Sequence, residues 1–257
     1  MSDSSFPKII PKREFLPVDG YEEETGSFYG EILVSEEREF YEKVATERLT
    51  VTGDAVFRDE IDAAKFDIEG TAVCAETVSC DAFICEGSAL IKRKIMCEEA
   101  FVSGTCECYG NFHSGDVRVS GALKLGGRLD ALDVEVTGSL HVSGKVPADN
   151  VIVEGKATFD NNLRAIDIRI SGTAGSVRAT SVRSENLLVR STEKDPADFV
   201  FTADSLFCDY IKLEYCDADR VLCEEAVIGP GCHIRLLECR EEPDIDINAV
   251  VEKTVMI

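Results

Sequence analysis

The chain has no tryptophan, three methionines, three histidines and an aromatic content of only 7%. Large aromatic side chains dominate many cores, so this scarcity points to a core of small and β-branched residues. Basic residues are also few: 27 Lys and Arg stand against 49 Asp and Glu, a formal charge of -22 over 257 residues. So acidic a surface repels a phosphate backbone and argues against a nucleic-acid partner. It also disfavours broad docking on anionic lipid. No stretch approaches the roughly 18 consecutive apolar residues of a membrane-spanning helix. Residues 1–20 lack a basic start followed by an apolar run, so no secretory leader is expected. There is no C-x-x-C pair, G-x-S-x-G elbow, P-loop or dinucleotide fingerprint. Cysteine is plentiful at 11, but the number is odd and zinc spacing is missing; the nearest pair, Cys106 and Cys108, is separated by one residue. Reduced thiols in a cytoplasmic protein are the expectation.

What the chain does have is a repeat. Glycine recurs every 17 residues at Gly53, Gly70, Gly87, Gly104, Gly121, Gly138, Gly155 and Gly172. Each follows an apolar-x-apolar-x pattern, as in Val117, Val119 and Gly121, or Val151, Val153 and Gly155. Ile32 and Val34 fit one step earlier, with Glu36 in the glycine slot. Further apolar columns lie two, four, eight and ten residues after the glycine, for example Leu140, Val142, Val146 and Ala148. Each unit therefore reads as three short stretches of period two, the signature of strands with one face inward. One such unit cannot bury its own apolar face, whereas a stack of them can, and the fold expected is an all-β, single-stranded parallel β-helix of about 17-residue coils. The glycine marks a structural corner where φ is positive or neighbouring turns approach closely. A Gly121→Val change is expected to strain it. Cys74 and Cys108 share one inward column and Cys80 and Cys97 another, in slots that otherwise hold Ala, Val, Ile or Leu. They read as small buried hydrophobes; Cys80 and Cys97, on adjacent coils, could come close enough for a disulfide if oxidised.

The frame loosens after Gly172. Leu187 and Val189 follow 19 residues on, and Glu193 to Asp198, with Pro196, reads as a loop bulging from the stack. Counting slots from 36 through 225 gives twelve coils, a rod of about 55–60 Å at the 4.8 Å strand spacing. The expected organisation is a flexible tail at 1–31, a β-helix domain at 32–240 and a C-terminal tail or cap at 241–257. Pro7, Pro11 and Pro17 break up the tail, with a short capping piece at Phe28 and Tyr29. Its patch of Phe6, Lys8, Ile9, Ile10, Lys12, Arg13, Phe15 and Leu16 offers a weak membrane or partner tether, since one short patch anchors weakly.

These repeated Val-x-Val-x-Gly strands, with Ala three before them as in Ala148 to Gly155, resemble the bactofilins, polymer-forming cytoskeletal proteins of bacteria. The resemblance covers about residues 32–240. It implies a right-handed, triangular β-helix that joins end to end into nonpolar filaments without nucleotide. It also implies a cytoplasmic protein, at the inner face of the membrane, whose partners are itself and cell-envelope or morphogenesis proteins. The array is longer than in short members and richer in cysteine and acid. If end contacts follow the family, apolar residues of the last coils carry them: Phe199, Phe201, Leu206, Phe207 and Leu236, some of which belong to the core.

Catalysis is not expected. Left-handed hexapeptide-repeat enzymes have 18-residue coils and use histidine as base or metal ligand. Here His113, His141 and His233 occupy different columns and cannot form one site. Acidic solenoids that cleave polysaccharides aim clustered carboxylates at one bond, whereas Asp54, Asp59, Glu60, Asp62, Asp67 and Glu69 spread over outward slots. They read as a solvated face. No cofactor, metal or catalytic residue is expected, and a structural self-assembling scaffold is the function favoured. The alternative is a solenoid that binds partners without polymerising, with a hexapeptide-repeat-like enzyme a more distant third. Like-charged outer faces should make lateral bundling depend on salt.

Overall fold

The computed structural model describes residues 30–194, 196 and 198–257. Residues 1–29 of the expected tail, including the basic-apolar patch and the cap at Phe28 and Tyr29, lie outside the described residues. The described chain is built of strands and turns with no helix. Hence no helix among the described residues is long and apolar enough to cross a membrane.

Strands stack in parallel, each pairing with the strand one coil away. Each coil crosses three sheets. In the first, Glu31–Val34 lies under Arg48 to Val51, and the stack climbs through Asp116–Val119 to Glu225–Ile228. The second starts at Arg38–Phe40 and the third at Val44 to Thr46. Alternation decides which side chains enter. In coil 7, Val134, Val136, Leu140, Val142, Val146 and Ala148 are buried while Glu135 and Ser139 face water. Burying each Val or Leu stabilises by about 2 kcal/mol as an upper bound, realised only when a neighbouring coil covers it.

The register holds at 17 residues from Glu31↔Arg48 to Asn150↔Asp167. It then widens to 19 at Asp167↔Asn186 and to 24 at Asn186↔Tyr210, and narrows to 15 at Tyr210↔Glu225. The widest step contains the segment around Pro196, read from the sequence as a bulge. Residues 241–257 continue the stack: Asp244–Ile245, Val250–Val251 and Thr254–Met256 pair with the coil beneath. Counting first-sheet strands from Glu31 to Glu242 makes about thirteen coils rather than twelve. At the usual spacing that is a rod of about 60 Å.

The core is not simply small. Phe57, Phe66, Phe83, Phe112, Phe159 and Phe201 are among its largest fully buried side chains. Phe66 meets Phe57 and Phe83 edge to face at 5.9 Å each, and Phe83 meets Phe112 at 6.3 Å. Low aromatic content thus conceals a concentration of phenylalanine along the axis of the N-terminal half.

Candidate assembly surfaces

The last coil has the same inward columns as the coil beneath it, and among the described residues no strand lies above it. Ile228, Ile234 and Cys239 are at most 1% exposed. Their partners one coil on are Ile245, Val251 and Met256. Ile245 is 38% exposed and Met256 53%, while Ile257 beside it and Ile247 at the corner are exposed too. Thr254, above the fully buried Leu237, is also open to water. The difference between the two coils is one missing layer. The backbone tells the same story: the last strands hydrogen-bond downward, as in Val250 N–H to Cys232 carbonyl at 2.8 Å and Ile257 N–H to Cys239 carbonyl at 3.0 Å. Their upper edge carries no strand partner among the described residues. At the other end, Ile32 and Phe40 occupy core columns of the first coil and are only partly buried.

The five residues proposed from the sequence as end contacts do not form an end. Phe201 and Leu206 are fully buried and covered by Cys216 and Val221 of the next coil. They are core, because residues 241–257 add a further coil and move the terminus away. Phe207 is outward and half-buried on the third sheet, with Arg183 5.7 Å and Arg220 5.9 Å from its ring centre. Leu236 is likewise lateral, in register with Arg220. Phe199 sits at the bulge, its carbonyl accepting from Gly175 N–H at 2.7 Å.

The glycine column works by close approach. A Cβ at Gly70, Gly87, Gly104, Gly121, Gly138 or Gly155 would fall on the backbone carbonyl of the preceding glycine, and one at Gly53 would meet Ser35 and Glu36 backbone at 2.7–2.8 Å. None of these has a left-handed φ; among the described glycines only Gly175 and Gly231 do. At Gly172 the neighbour is the Ser176 hydroxyl rather than backbone, in keeping with the looser frame there. Gly110, Gly127 and Gly144 form a second column with the same constraint at the next corner. Their 17-residue spacing was the available signal, masked by its shortness and by Arg93 and Asn161 in the flanking slots.

All 11 cysteines are buried and none is in a disulfide. Burial pushes the Cys85 thiol up to about 12 and those of Cys108, Cys208 and Cys232 up to about 11. Such thiols stay protonated and unreactive near neutrality. Cys80 and Cys97 are both buried and form no disulfide, and Cys223 and Cys239, in register on adjacent coils, have sulfurs 3.0 Å apart. The histidines are scattered. His141 meets Asp160 at 2.7 Å, whereas His233 lies between Asp217 at 2.8 Å and Glu252 at 3.1 Å on the second sheet. The Asp217 hydrogen bond, helped by Glu252 and opposed by desolvation, raises the His233 pKa above its ordinary 6.5. No group of three His, Cys, Asp or Glu among the described residues is placed to hold a metal ion.

No family model, curated protein or solved structure matches this chain.

Proposed function

We propose that this protein is a structural scaffold that joins end to end into filaments without nucleotide. The observation that carries the reading is the open last coil: core columns buried to 1% or less one coil down are 38% and 53% exposed at Ile245 and Met256. Solenoids that stay single normally close their ends with polar caps. An uncapped parallel edge with apolar columns is a template for another layer of strand, and the most available layer is the end coil of a second copy. The sequence resemblance to the bactofilins supports the same reading. Eleven buried cysteines without a disulfide suit a reducing, cytoplasmic setting, and cell-envelope or morphogenesis proteins are the further partners that resemblance implies.

Negative-stain microscopy of the purified chain without ATP or GTP tests this. Filaments one rod wide are the expected result. Ile245→Lys with Met256→Lys should leave single rods of unchanged circular dichroism, because a buried unpaired ammonium at the junction is strongly unfavourable. A monodisperse monomer across salt and protein concentration would overturn the reading.

A further inference from the structure

The charge of -22 is unevenly distributed along the rod. Residues 31–115 carry 8 Lys and Arg against 18 Asp and Glu, and residues 192–257 carry 6 against 16. Residues 116–191 between them carry 10 against 9. The rod therefore has two acidic ends and a middle close to neutral.

A groove of about 510 Å³ crosses the third sheet of that middle section. Its cations stand in two neighbouring columns. Leu129 N–H donates to the Lys145 carbonyl, which sets Arg128 beneath Lys145, and the register carries that column on through Asn162 and Ser181. The second column, two residues further along each strand, runs Pro147, Arg164, Arg183 and Phe207. Positive charge thus crosses from the first column at coils 6 and 7 to the second at coils 8 and 9. The carboxylates nearby in sequence are engaged: Asp130 by Arg128 at 2.5 Å and Asp160 by His141 at 2.7 Å. Lys145, Arg164 and Arg183 are exposed and make no ion pair among the described residues. In so acidic a chain, three free cations on one track are the exception. The groove offers other chemistry too. The side chains of Asn162 and Ser181 make no hydrogen bond among the described residues. At the upper end the Phe207 ring is half-buried, with Arg183 5.7 Å and Arg220 5.9 Å from its centre.

From Lys145 to Phe207 the track climbs three coils and shifts two residues sideways, about 16 Å at ordinary strand dimensions. About five residues of extended chain cover that length, with alternate side chains about 6.6 Å apart on one face. We propose that the groove docks an extended acidic segment of a partner protein. Its alternate carboxylates meet Lys145, Arg164 and Arg183, whose long stems absorb the difference in spacing. An apolar side chain of the segment rests on Phe207. The Asn162 amide and Ser181 hydroxyl, each both donor and acceptor, bond to its peptide groups. A phosphate polymer would use the cations and leave the ring without a partner. The acidic ends of the rod repel the same segment and so steer it to the middle. The groove lies on a lateral sheet and stays open when rods join end to end, so docking does not depend on the filament reading.

Fluorescence anisotropy of a labelled peptide, five glutamates ending in a phenylalanine, tests this on the full chain. At about 0.1 M salt wild type should bind it, and at about 1 M binding should vanish. Lys145→Glu with Arg164→Glu should weaken binding at least about tenfold, since two exposed attractions become repulsions. Arg169→Glu with Arg178→Glu makes the same change in net charge on the first and second sheets and should leave binding as in wild type. Wild type should prefer this peptide to one of glutamate alone, and Phe207→Ala should bind the two equally. Circular dichroism confirms that each variant is folded. No binding by wild type at the lower salt would overturn the proposal, and so would equal weakening by the two charge-reversal pairs. Binding of polyphosphate but not of the peptide would overturn it in favour of a phosphate polymer. Wild-type rods that take no peptide but show a doubled scattering cross-section, lost in Lys145→Glu with Arg164→Glu, would overturn it in favour of a second copy of this chain.

Discussion

Gly121→Ala adds one methyl group and nothing else, and the corner decides its effect. The new Cβ would fall on the carbonyl oxygens of Gly104 and Ser103 in the coil beneath, and its third neighbour is the Ser103 carbonyl carbon at 2.5 Å. All three atoms are backbone and cannot rotate away. An ordinary contact requires the two coils to part locally by roughly an ångström. Three ladder bonds cross this point: Ser120 and Gly121 N–H to the Val102 carbonyl at 2.9 Å each, and Ala122 N–H to the Gly104 carbonyl at 2.8 Å. Stretched that far, all pass beyond hydrogen-bonding length. At about 1 kcal/mol each, the loss is about 3 kcal/mol, and Val should cost more. Native-state hydrogen exchange at Val119 to Leu123 reads this local free energy directly and does not need the whole array to unfold as one unit. Ser120→Ala, one residue away and facing water, is the control and should stay within about 0.5 kcal/mol of wild type. A Gly121→Ala protein equally close to wild type would refute the close-approach argument for the entire column.

Phe66→Ala should destabilise its coils by about 3–5 kcal/mol, because the ring is fully buried between Phe57 and Phe83 and stacked coils leave no side from which to refill the gap; urea denaturation checks it. A thiol reagent at neutral pH should modify none of the 11 cysteines in the native rod and all of them in denaturant, a count that mass spectrometry reads directly. Protonated His233 ties the last coil to two below it through Glu252 and Asp217. Its folded pKa is raised, so this contribution is complete below the unfolded value of about 6.5 and disappears as pH climbs through the folded value. Exchange protection at Val250 to Met256, corrected for the intrinsic rate, should therefore fall with rising pH in wild type and stay level in His233→Gln.

Much of the architecture was legible because a parallel stack repeats its constraints at a fixed interval. Ala-x-x-Val-x-Val-x-Gly requires the same inward columns in every coil, so the three strands, the turns and the burial of the cysteines could be read directly from the spacing. The glycine frame lost its force where coil length drifts to 19, 24 and 15 residues. For that reason residues 241–257 read as a tail, although Ile245, Val251 and Met256 continue the columns of Ile228, Ile234 and Cys239. Misplacing the end also put two of the expected end contacts inside the stack: Phe201 and Leu206 are apolar because they are core. Phe207 looks the same in sequence but faces outward, since neighbours on a strand point to opposite sides.

The sequence alone determined the period, the inward columns and a net charge that disfavours nucleic acid, all of which follow from local alternation and composition. Tertiary structure decided how the glycines act, where the stack ends and which charges lie together. Those depend on distances between residues 17 or more positions apart. Arg128, Lys145, Arg164 and Arg183 are scattered cations along the chain, and only stacking makes them one groove.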